Sequence, residues 1–215
     1  MNQTKKSTVK RAPKRAHYDE KTIFSILDSE QICHVAFIHQ GHPVSIPTIY
    51  GRAGNKLYIH GATVSRLITT LEKGIDISLS VAHVDGLILA RSAFHHSMNY
   101  RSVVLFGKAK LLEPQEKYDA LKVISDHLIS GRWEEVREPN TKELKATNVL
   151  EISIDEASAK VRTGGPIDDL EDYDLDIWAG EIPLKVHAFK PIADEKLKPG
   201  LTVPKSVLEY LKAGK

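Results

Sequence analysis

Residues 57–67 read LYIHGATVSRL, which predicts a short strand, a glycine turn and then the first residues of a helix. The first backbone N–H groups of a helix have no partner inside it and carry the positive end of its dipole. Both properties favour an anion, and the Ser65 hydroxyl and Arg66 guanidinium would add donors to a phosphate cradle. The same letters also describe an ordinary N-cap followed by a surface arginine. The local pattern does not separate these two interpretations.

Strand patterns flank this segment on both sides. Residues 33–38 and 44–50 are rich in β-branched and aromatic side chains, and the turn-like sequence HQGHP at 39–43 joins them as a predicted hairpin. Pro47 cannot donate a ladder hydrogen bond, so it indicates an edge, a bulge or a ligand beside the strand. Further strands are predicted at 57–60, 76–84, 86–90, 101–112, 149–154 and 159–162, and the acidic run at 168–176 is predicted to be a solvated loop. A barrel is the economical closure for these strands.

Apolar residues at helical spacing predict short helices over 18–28, 65–73, 116–129 and 203–211. Asp19 is the expected N-cap of the first helix, and Gly74 the expected C-cap of the second. The fold class is therefore mainly β with flanking helices. We predict one domain over residues 17–190, preceded by a tail at 1–16 and followed by a C-terminal extension with a short helix at 191–215.

The formal net charge of the 215-residue chain is only +2, and much of the positive excess lies in the first sixteen residues. These contain no acidic residue and carry Lys5, Lys6, Lys10, Arg11, Lys14 and Arg15. We predict a disordered, solvated basic tail, because chain termini commonly fray. The remainder is near neutral, which argues against a nucleic-acid partner.

Cys33 is the single cysteine, so the chain cannot form an internal disulfide, and its apolar surroundings predict a buried structural thiol. Apolar stretches long enough to span a bilayer, about 20 residues, are absent from the sequence, as is an apolar segment of the signal-peptide kind at its start. We therefore expect a cytoplasmic protein without membrane contact.

A second polar stretch, RSAFHHSMNYRS at 91–102, lies between two apolar strand patterns and should line a pocket or an interface. His95 and His96 make a poor metal site because adjacent strand residues face opposite sides, and we expect no metal. Lys160 and Arg162 alternate along a strand and would form either a second anion contact or an exposed flank. Trp178 would stack on a ring system or fill the core.

Taken together, these residues resemble the pyridoxamine 5'-phosphate oxidase-like superfamily of FMN-binding split β-barrels. The resemblance covers residues 14–184, and the stretch 85–103 resembles the branch of flavin-nucleotide-binding proteins akin to nitroimidazole-resistance proteins. It implies a homodimer in which Ser65 and Arg66 hold the FMN phosphate. It also implies ring contacts at Pro47, Thr48, Ile49 and Tyr50, contacts near the ribityl chain at Ile59, His60 and Gly61, and contacts from the partner subunit at Asn99, Tyr100, Arg101 and Ser102. Trp178 is a further candidate contact.

The sequence departs from the oxidase proper in two places. Residues 45–50 contain no Arg or Lys where the oxidase carries Arg-x-x-x-Leu-Lys, and the C-terminal Arg-Leu-x-x-Arg substrate signature is missing. This argues against oxidation of pyridoxamine phosphate. We expect an oxidoreductase that moves electrons between FMN and a small aromatic, nitro or quinone-like substrate, with His60, His95 or His96 as proton donor. The alternatives are a non-enzymatic FMN carrier or sensor, and a haem-handling split barrel with a histidine on iron.

Overall fold

The structure, a computed structural model, describes residues 1–214 and consists mainly of antiparallel strands. The strands are β1 (Ala16–His17), β2 (Ile32–His39), β3 (His42–Ala53), β4 (Lys56–Ala62), β5 (Asp76–Leu89), β6 (Ser97–Leu111), β7 (Thr147–Ser153), β8 (Glu156–Arg162) and β9 (Gly180–Pro183). The helices are α1 (Glu20–Leu27), α2 (Arg66–Leu71), α3 (Pro114–Leu128), α4 (Thr141–Ala146) and α5 (Lys205–Lys212).

The long strand β6 closes the sheet into a ring. Its first part pairs with β5 on one side and β8 on the other, and its last residues, 109–111, pair with β7. The ring therefore runs β2, β3, β4, β7, β6, β5 and back to β2, with β8 and β1 attached outside β6 and β9 outside β5. This arrangement is a split barrel, as the sequence predicted.

The β2–β3 hairpin shows how the sequence sets the two faces of the barrel wall. Cys33, Val35 and Phe37 are buried inside, whereas the alternate residues Ile32 and His34 are exposed outside. This is the period of two expected for a strand that separates core from solvent. The hairpin and its turn at 39–43 are confirmed, with strands that extend further toward the turn than predicted.

The barrel interior is closed by apolar residues of α1 and α2, which join one continuous core. The Tyr50 side chain is fully buried in this core, and its hydroxyl donates to the backbone oxygen of Leu27 at the end of α1. Burial raises the pKa of the Cys33 thiol to about 12, so Cys33 is the buried, unreactive thiol that its surroundings predicted.

Helix α3 packs on the outside of β3 and β4, and Gly51 makes this close approach possible. A Cβ atom at Gly51 would lie 2.7 Å from Cα and 2.8 Å from the backbone nitrogen of Ile124. Both are backbone atoms of the helix, so no side-chain rotation can relieve the contact. The missing side chain at this position therefore sets the distance between α3 and the barrel wall.

The N-terminal segment differs from the disordered tail that its charge predicted. The Met1 ammonium donates to the backbone oxygen of Tyr18 at 3.1 Å, and the Val9 backbone N–H donates to the Tyr18 hydroxyl at 2.9 Å. Ser7 is buried, and β1 pairs with β8. These contacts are long-range, which is why composition alone did not indicate them.

Two further elements differ from the sequence-based expectation. The strands predicted at 76–84 and 86–90 form one strand, β5, whose register against β6 shifts between Val84 and Gly86, as at a β-bulge. Helix α4 was not predicted, although Asn140 caps it and Glu143 completes its capping box. Within residues 1–214, no helix combines the length and apolar character needed to cross a membrane.

The C-terminal extension contains an exposed segment between β9 and α5. Residues 184–204 form no helix or strand, and several of their large apolar side chains face solvent, including Phe189 (81% exposed) and Ile192 (97% exposed). Helix α5 returns to the body, where the backbone N–H of Ser206 donates to a carboxylate oxygen of Glu135 at 3.0 Å. The chain thus leaves the barrel after β9 and returns to it at α5. We call the apolar segment between them, residues 184–204, the C-terminal strap.

Candidate functional site

The turn between β4 and α2 is compact because of Gly61. A Cβ atom there would lie 3.0 Å from Cγ1 of Ile68 and 3.2 Å from Oγ of Ser65. Ser65 is the N-cap of α2, and its hydroxyl oxygen accepts from the Ile68 backbone N–H at 3.3 Å. The ordinary capping role is therefore present, and the hydroxyl proton stays available for an anion.

Arg66 follows at the first position of α2 and is exposed. Within residues 1–214 its guanidinium has no carboxylate partner, unlike Arg52, which pairs with Asp28. A free guanidinium beside a capping serine at a helix start offers the donors that a phosphate group requires. Helix α2 has only six residues, so the Ser65 and Arg66 side chains, rather than the helix dipole, would provide most of the attraction for a phosphate.

Three of the predicted contact residues share the outer face of the barrel beside this turn. Tyr50 pairs with Ile59 across β3 and β4 with both side chains buried, so the alternate residues Pro47, Ile49 and His60 face outward. Ile49 packs against α3, while Pro47 stays exposed. Because α3 covers part of Ile49, the candidate site is the part of this face that stays open, at Pro47, the uncovered side of Ile49 and His60, together with the Ser65–Arg66 pair.

The Tyr50 and Ile59 side chains are fully buried in the core, so the ring and ribityl contacts predicted at these residues would have to come from their backbone atoms. Thr48 pairs with the buried Cys33 and shares its inward face. Successive residues of a strand face opposite sides, so a continuous run cannot line one surface with side chains. Only the backbone of these residues can reach a ligand on the outer face.

His60 is the titratable side chain of the candidate site. Its Nδ1 atom is buried and has no hydrogen-bond partner in the structure. Burial lowers the pKa of His60 below its ordinary value, because water no longer stabilises the charged imidazolium. A neutral imidazole with a free, sheltered nitrogen is suited to accept a hydrogen bond or to ligate a metal centre.

His95 and His96, the other candidate proton donors, lie elsewhere, in the loop that joins β5 to β6. Nδ1 of His96 accepts from the Ala90 backbone N–H at 3.1 Å, and Nε2 of His95 lies 3.4 Å from a carboxylate oxygen of Asp169. His95, Asp169 and Asp172 place possible ligand atoms within 4.8 Å of one another, a grouping that the sequence did not predict. The structure therefore separates these histidines from His60.

Two of the residues expected to reach a flavin across a subunit interface are occupied within the chain. Asn99 is buried and its amide nitrogen donates to Glu181 at 2.7 Å, while Arg101 makes a two-pronged contact with Asp85 at 3.0 and 2.9 Å. Both side chains therefore have partners within the chain, and their contact with a flavin across an interface stays a prediction. Tyr100 and Ser102 are half-buried, and neither makes an ion pair within residues 1–214.

Trp178 does not fill the core: it is 66% exposed and its ring lies close to Gly180, where a Cβ atom would be 2.9 Å from the indole. Trp178 precedes β9, which pairs with β5. Within one chain, strands β5 and β2 therefore lie between Trp178 and β3, the strand that carries Pro47 and Ile49. Trp178 is therefore remote from the candidate site of its own chain.

Arg91 and Asp168 form an ion pair that the sequence did not indicate. The Asp168 side chain is fully shielded from solvent and accepts from the Arg91 guanidinium at 3.1 Å and from the Arg91 backbone N–H at 2.9 Å. The acidic run at 168–176 was interpreted as a solvated loop, which is wrong for Asp168. Only the density of polar residues at 91–102 indicated that buried partners exist.

The closed ring of six strands, with further strands attached outside it, defines the class of this molecule as a split-barrel protein. Residues 19–161 match the family model described as pyridoxamine 5'-phosphate oxidase. The chain belongs to this flavoprotein family. A search of curated proteins returned no match.

Solved structures resemble the chain over almost its entire length. The flavocytochrome Anf3 from Azotobacter vinelandii is 40% identical with a TM-score of 0.91, and 96% of each chain is covered. A protein from Mycobacterium smegmatis described as binding FAD and haem is 34% identical with a TM-score of 0.88, covering 91% of this chain and 96% of the other. A 5-nitroimidazole antibiotic resistance protein from Bacteroides thetaiotaomicron shares the fold at 22% identity and a TM-score of 0.58, over 68% of this chain and 86% of that one.

Proposed function

We propose that this chain is a redox flavoprotein, an oxidoreductase that holds a flavin on the outer barrel face and passes electrons to or from a small aromatic, nitro or quinone-like molecule. The observation that carries the proposal is the unpaired Arg66 beside the capping Ser65, at the end of a face lined by Pro47, Ile49 and His60. A bound flavin would supply the redox chemistry. The chain would anchor the phosphate, cover one side of the ring and keep a neutral imidazole nearby.

The test is an absorbance spectrum of the purified protein after loading with excess flavin and desalting. Retained flavin bands support the proposal, and bleaching by a reductant followed by reoxidation with a nitroaromatic or quinone supports oxidoreductase activity. Retained bands without turnover favour the alternative of a flavin carrier or sensor. A protein that emerges colourless after loading contradicts flavin binding.

FMN is the cofactor that the sequence resemblance implies, whereas the mycobacterial neighbour is described as binding FAD. Both flavins carry the phosphate that Ser65 and Arg66 would hold, so the cradle serves either. Heat-released cofactor, separated by chromatography against FMN and FAD standards, identifies which flavin the protein selects.

Haem is a second candidate cofactor, and two observations favour it. Two solved structures that cover more than nine tenths of the chain are described as a flavocytochrome and as a FAD- and haem-binding protein. In addition, His60 offers a buried nitrogen without a partner, which fits the requirement for an axial iron ligand. We propose His60 as that ligand if haem binds.

A His60→Ala variant should therefore lose the Soret band after incubation with haemin, while wild type and a His96→Ala control retain it. The physical reason is that alanine removes the nitrogen that would bind iron, whereas Nδ1 of His96 already accepts from a backbone N–H, which leaves the proton of the neutral ring on Nε2. The measurement is a spectral titration with haemin. An unchanged Soret band in His60→Ala would exclude this residue as the ligand.

We also propose that the protein is a homodimer, with the C-terminal strap in contact with a second copy of the chain. An exposed apolar segment of this size is unfavourable in water, and contiguous apolar surface commonly marks an interface. The strap leaves the barrel directly after the edge strand β9, where a second copy can be reached. A cytoplasmic location stays an expectation, and the near-neutral body gives no support for a nucleic-acid partner.

A Phe189→Ser/Ile192→Ser variant should weaken the dimer by about 100-fold, because two large exposed side chains lose their burial at the interface. Light scattering behind size-exclusion chromatography should give twice 24.0 kDa for the wild type and a mass falling toward 24.0 kDa for the variant on dilution. A Lys190→Ser control, which changes a charged residue between them, should stay dimeric. A monomeric wild type at micromolar concentration would contradict the dimer.

A further inference from the structure

A cavity of about 340 Å³ lies where the N-terminal segment crosses the end of the barrel. Basic and hydroxyl side chains from three parts of the chain line it: Arg11, Arg15, His95, His96, Ser97 and Arg162. Arg162 of β8 pairs with Tyr100, near the start of β6. The Ser65–Arg66 cradle follows β4, and the neighbour of β4, strand β7, pairs with the last residues of β6. The cavity is therefore separate, within one chain, from the Ser65–Arg66 cradle.

Arg162 is the unusual residue of this cavity because it is a buried cation that is hydrogen-bonded only to neutral groups, and the Glu181 carboxylate reaches it only through the Asn99 amide. Its side chain donates to the amide oxygen of Asn99 and to the backbone oxygens of Gly164 and Gly165 at 2.8 and 3.0 Å. All of these acceptors are neutral, and within the described residues, 1–214, Nε of Arg162 has no hydrogen-bond partner. The residue is only 6% exposed, so water does not satisfy the group either. Buried charges are normally paired directly, whereas Arg162 has no direct ion pair within residues 1–214.

A second guanidinium increases the positive charge at the same place. Burial lowers the pKa of Arg162 and repulsion from Arg15 lowers it further, while attraction to Glu181 opposes both effects without cancelling them. Neither Arg11 nor Arg15 forms an ion pair within residues 1–214. Arg11 and Arg15 lie at this cavity because β1, which follows them, pairs with β8, with Ala16 opposite Lys160. Folding therefore brings like charges together, which is unfavourable unless an anion binds between them.

The carboxylates at the cavity do not cancel this charge. Asp168 is already occupied by Arg91, through the guanidinium and the backbone N–H, and lies close to the Ser92 N–H. Asp169 lies beside His95, and its side chain is mostly exposed to solvent. The arginines at positions 11, 15 and 162 thus have donors to spare in a partly enclosed space.

We propose that this cavity binds the phosphate group of a small molecule. The planar guanidinium fork matches two phosphate oxygens, and a phosphate ester or pyrophosphate carries enough negative charge to balance more than one arginine. The volume accommodates the phosphate together with part of the molecule that bears it. The ligand is either a free nucleotide-like molecule or the phosphate end of a flavin whose ring is bound by another copy of the chain.

The test uses calorimetric titration of the full-length protein with inorganic pyrophosphate and with ADP, at constant ionic strength set with chloride. Wild type should bind with saturation, and Arg11→Ala/Arg15→Ala should bind at least about 10-fold more weakly, since two charge-assisted contacts are removed. Both arginines lie near the surface and lack partners, so the variant should fold, which circular dichroism verifies.

The matched control is Lys5→Ala/Lys6→Ala, which removes the same charge from the same segment at two exposed positions that do not line the cavity. It should bind pyrophosphate like wild type. An Arg162→Lys variant keeps the buried charge but loses the guanidinium fork, and it should also bind more weakly. Absence of saturable binding overturns the proposal, and so does an equal loss in the lysine control, which would indicate general charge attraction.

Competition identifies the source of the phosphate. If pyrophosphate and flavin exclude one another in wild type, the cavity holds the phosphate end of a flavin from a second copy. If both bind together, the ligand is a separate small molecule. An Arg66→Ala variant, which lacks the predicted flavin anchor, should still bind pyrophosphate, so failure of the flavin proposal and failure of this one give different results.

Discussion

An Arg66→Ala variant should retain flavin about 30-fold less tightly than the wild type. The guanidinium is exposed, without an ion pair within residues 1–214, and follows directly after the Ser65 cap. Its charge-assisted contact with a phosphate is worth about 2 kcal/mol, which corresponds to that factor in affinity. Fluorescence titration of the apoprotein with FMN and with FAD measures the change.

Lys73→Ala is the matched control, because it removes a positive charge just beyond the other end of α2, at an exposed position. It should bind flavin as the wild type does. Equal losses in the two variants would show that only the overall charge matters, and wild-type affinity in Arg66→Ala would place the phosphate elsewhere.

Substitutions of Ser65 separate its capping role from its role in holding phosphate. Ser65→Asp preserves an N-cap side chain but brings a negative charge to the phosphate position, so the helix should stay stable while flavin binding is lost. Ser65→Ala should instead lower the free energy of unfolding by about 1 kcal/mol and weaken flavin binding only moderately. Urea unfolding and flavin titration on both variants give the comparison.

A Gly51→Ala variant should be destabilised by about 3 kcal/mol, the largest stability effect that we expect from one added methyl group. The new Cβ would lie 2.7 Å from Cα of Ile124 and 2.8 Å from the backbone oxygen of Val123. Helix α3 must then move away from the barrel, and the contacts of Ile49 and Tyr58 with it are loosened. Urea-induced unfolding monitored by circular dichroism measures the loss.

Gly107→Ala provides the control within another strand of the same barrel. A Cβ there would lie 3.8 Å from the nearest atom, the backbone oxygen of Ser153, which is an ordinary contact distance. Its free energy of unfolding should stay within about 1 kcal/mol of the wild type. Similar losses at the two glycines would mean that glycine in a strand, rather than the approach of α3, determines the effect.

Local patterns predicted much of this fold because the relevant interactions are local. Asp19 and Ser65 both cap helices as expected, since the capping bond joins residues three apart. The hairpin at 33–50 follows from two apolar runs and a turn, which together leave one register that buries a complete face. The particular closure of the ring through β6 could be predicted only from the family resemblance, because pairing between strands that are distant in sequence leaves no local signal.

The candidate site was predicted only in part, and the differences between prediction and structure have a common cause. The resemblance was transferred as continuous runs of residues, although a strand presents alternate side chains to one surface. Pro47, Ile49 and His60 therefore remain at the site, whereas Tyr50 and Ile59 belong to the core. Applying the period of two to 57–60, where Leu57 and Ile59 are apolar, would have found this division.

Other contacts were not predicted because the partners are distant in sequence. Asn99 and Arg101 are neighbours in a polar run, but Glu181 and Asp85 occupy them, and neither partner can be inferred from spacing. Asp168 looked like one member of a solvated acidic run until the fold placed it against Arg91. Long-range polar pairing depends on the finished topology, so it becomes visible only with the structure.

The single thiol of Cys33 lies inside the barrel wall, and its raised pKa keeps it protonated at neutral pH. A thiol-labelling reagent can reach this sulfur only when the β2–β3 hairpin opens, because the side chain is fully buried. The labelling rate therefore reports how often the barrel opens in native buffer, without denaturant and without an introduced probe. Comparing that rate with and without flavin would show how strongly cofactor binding holds the barrel closed.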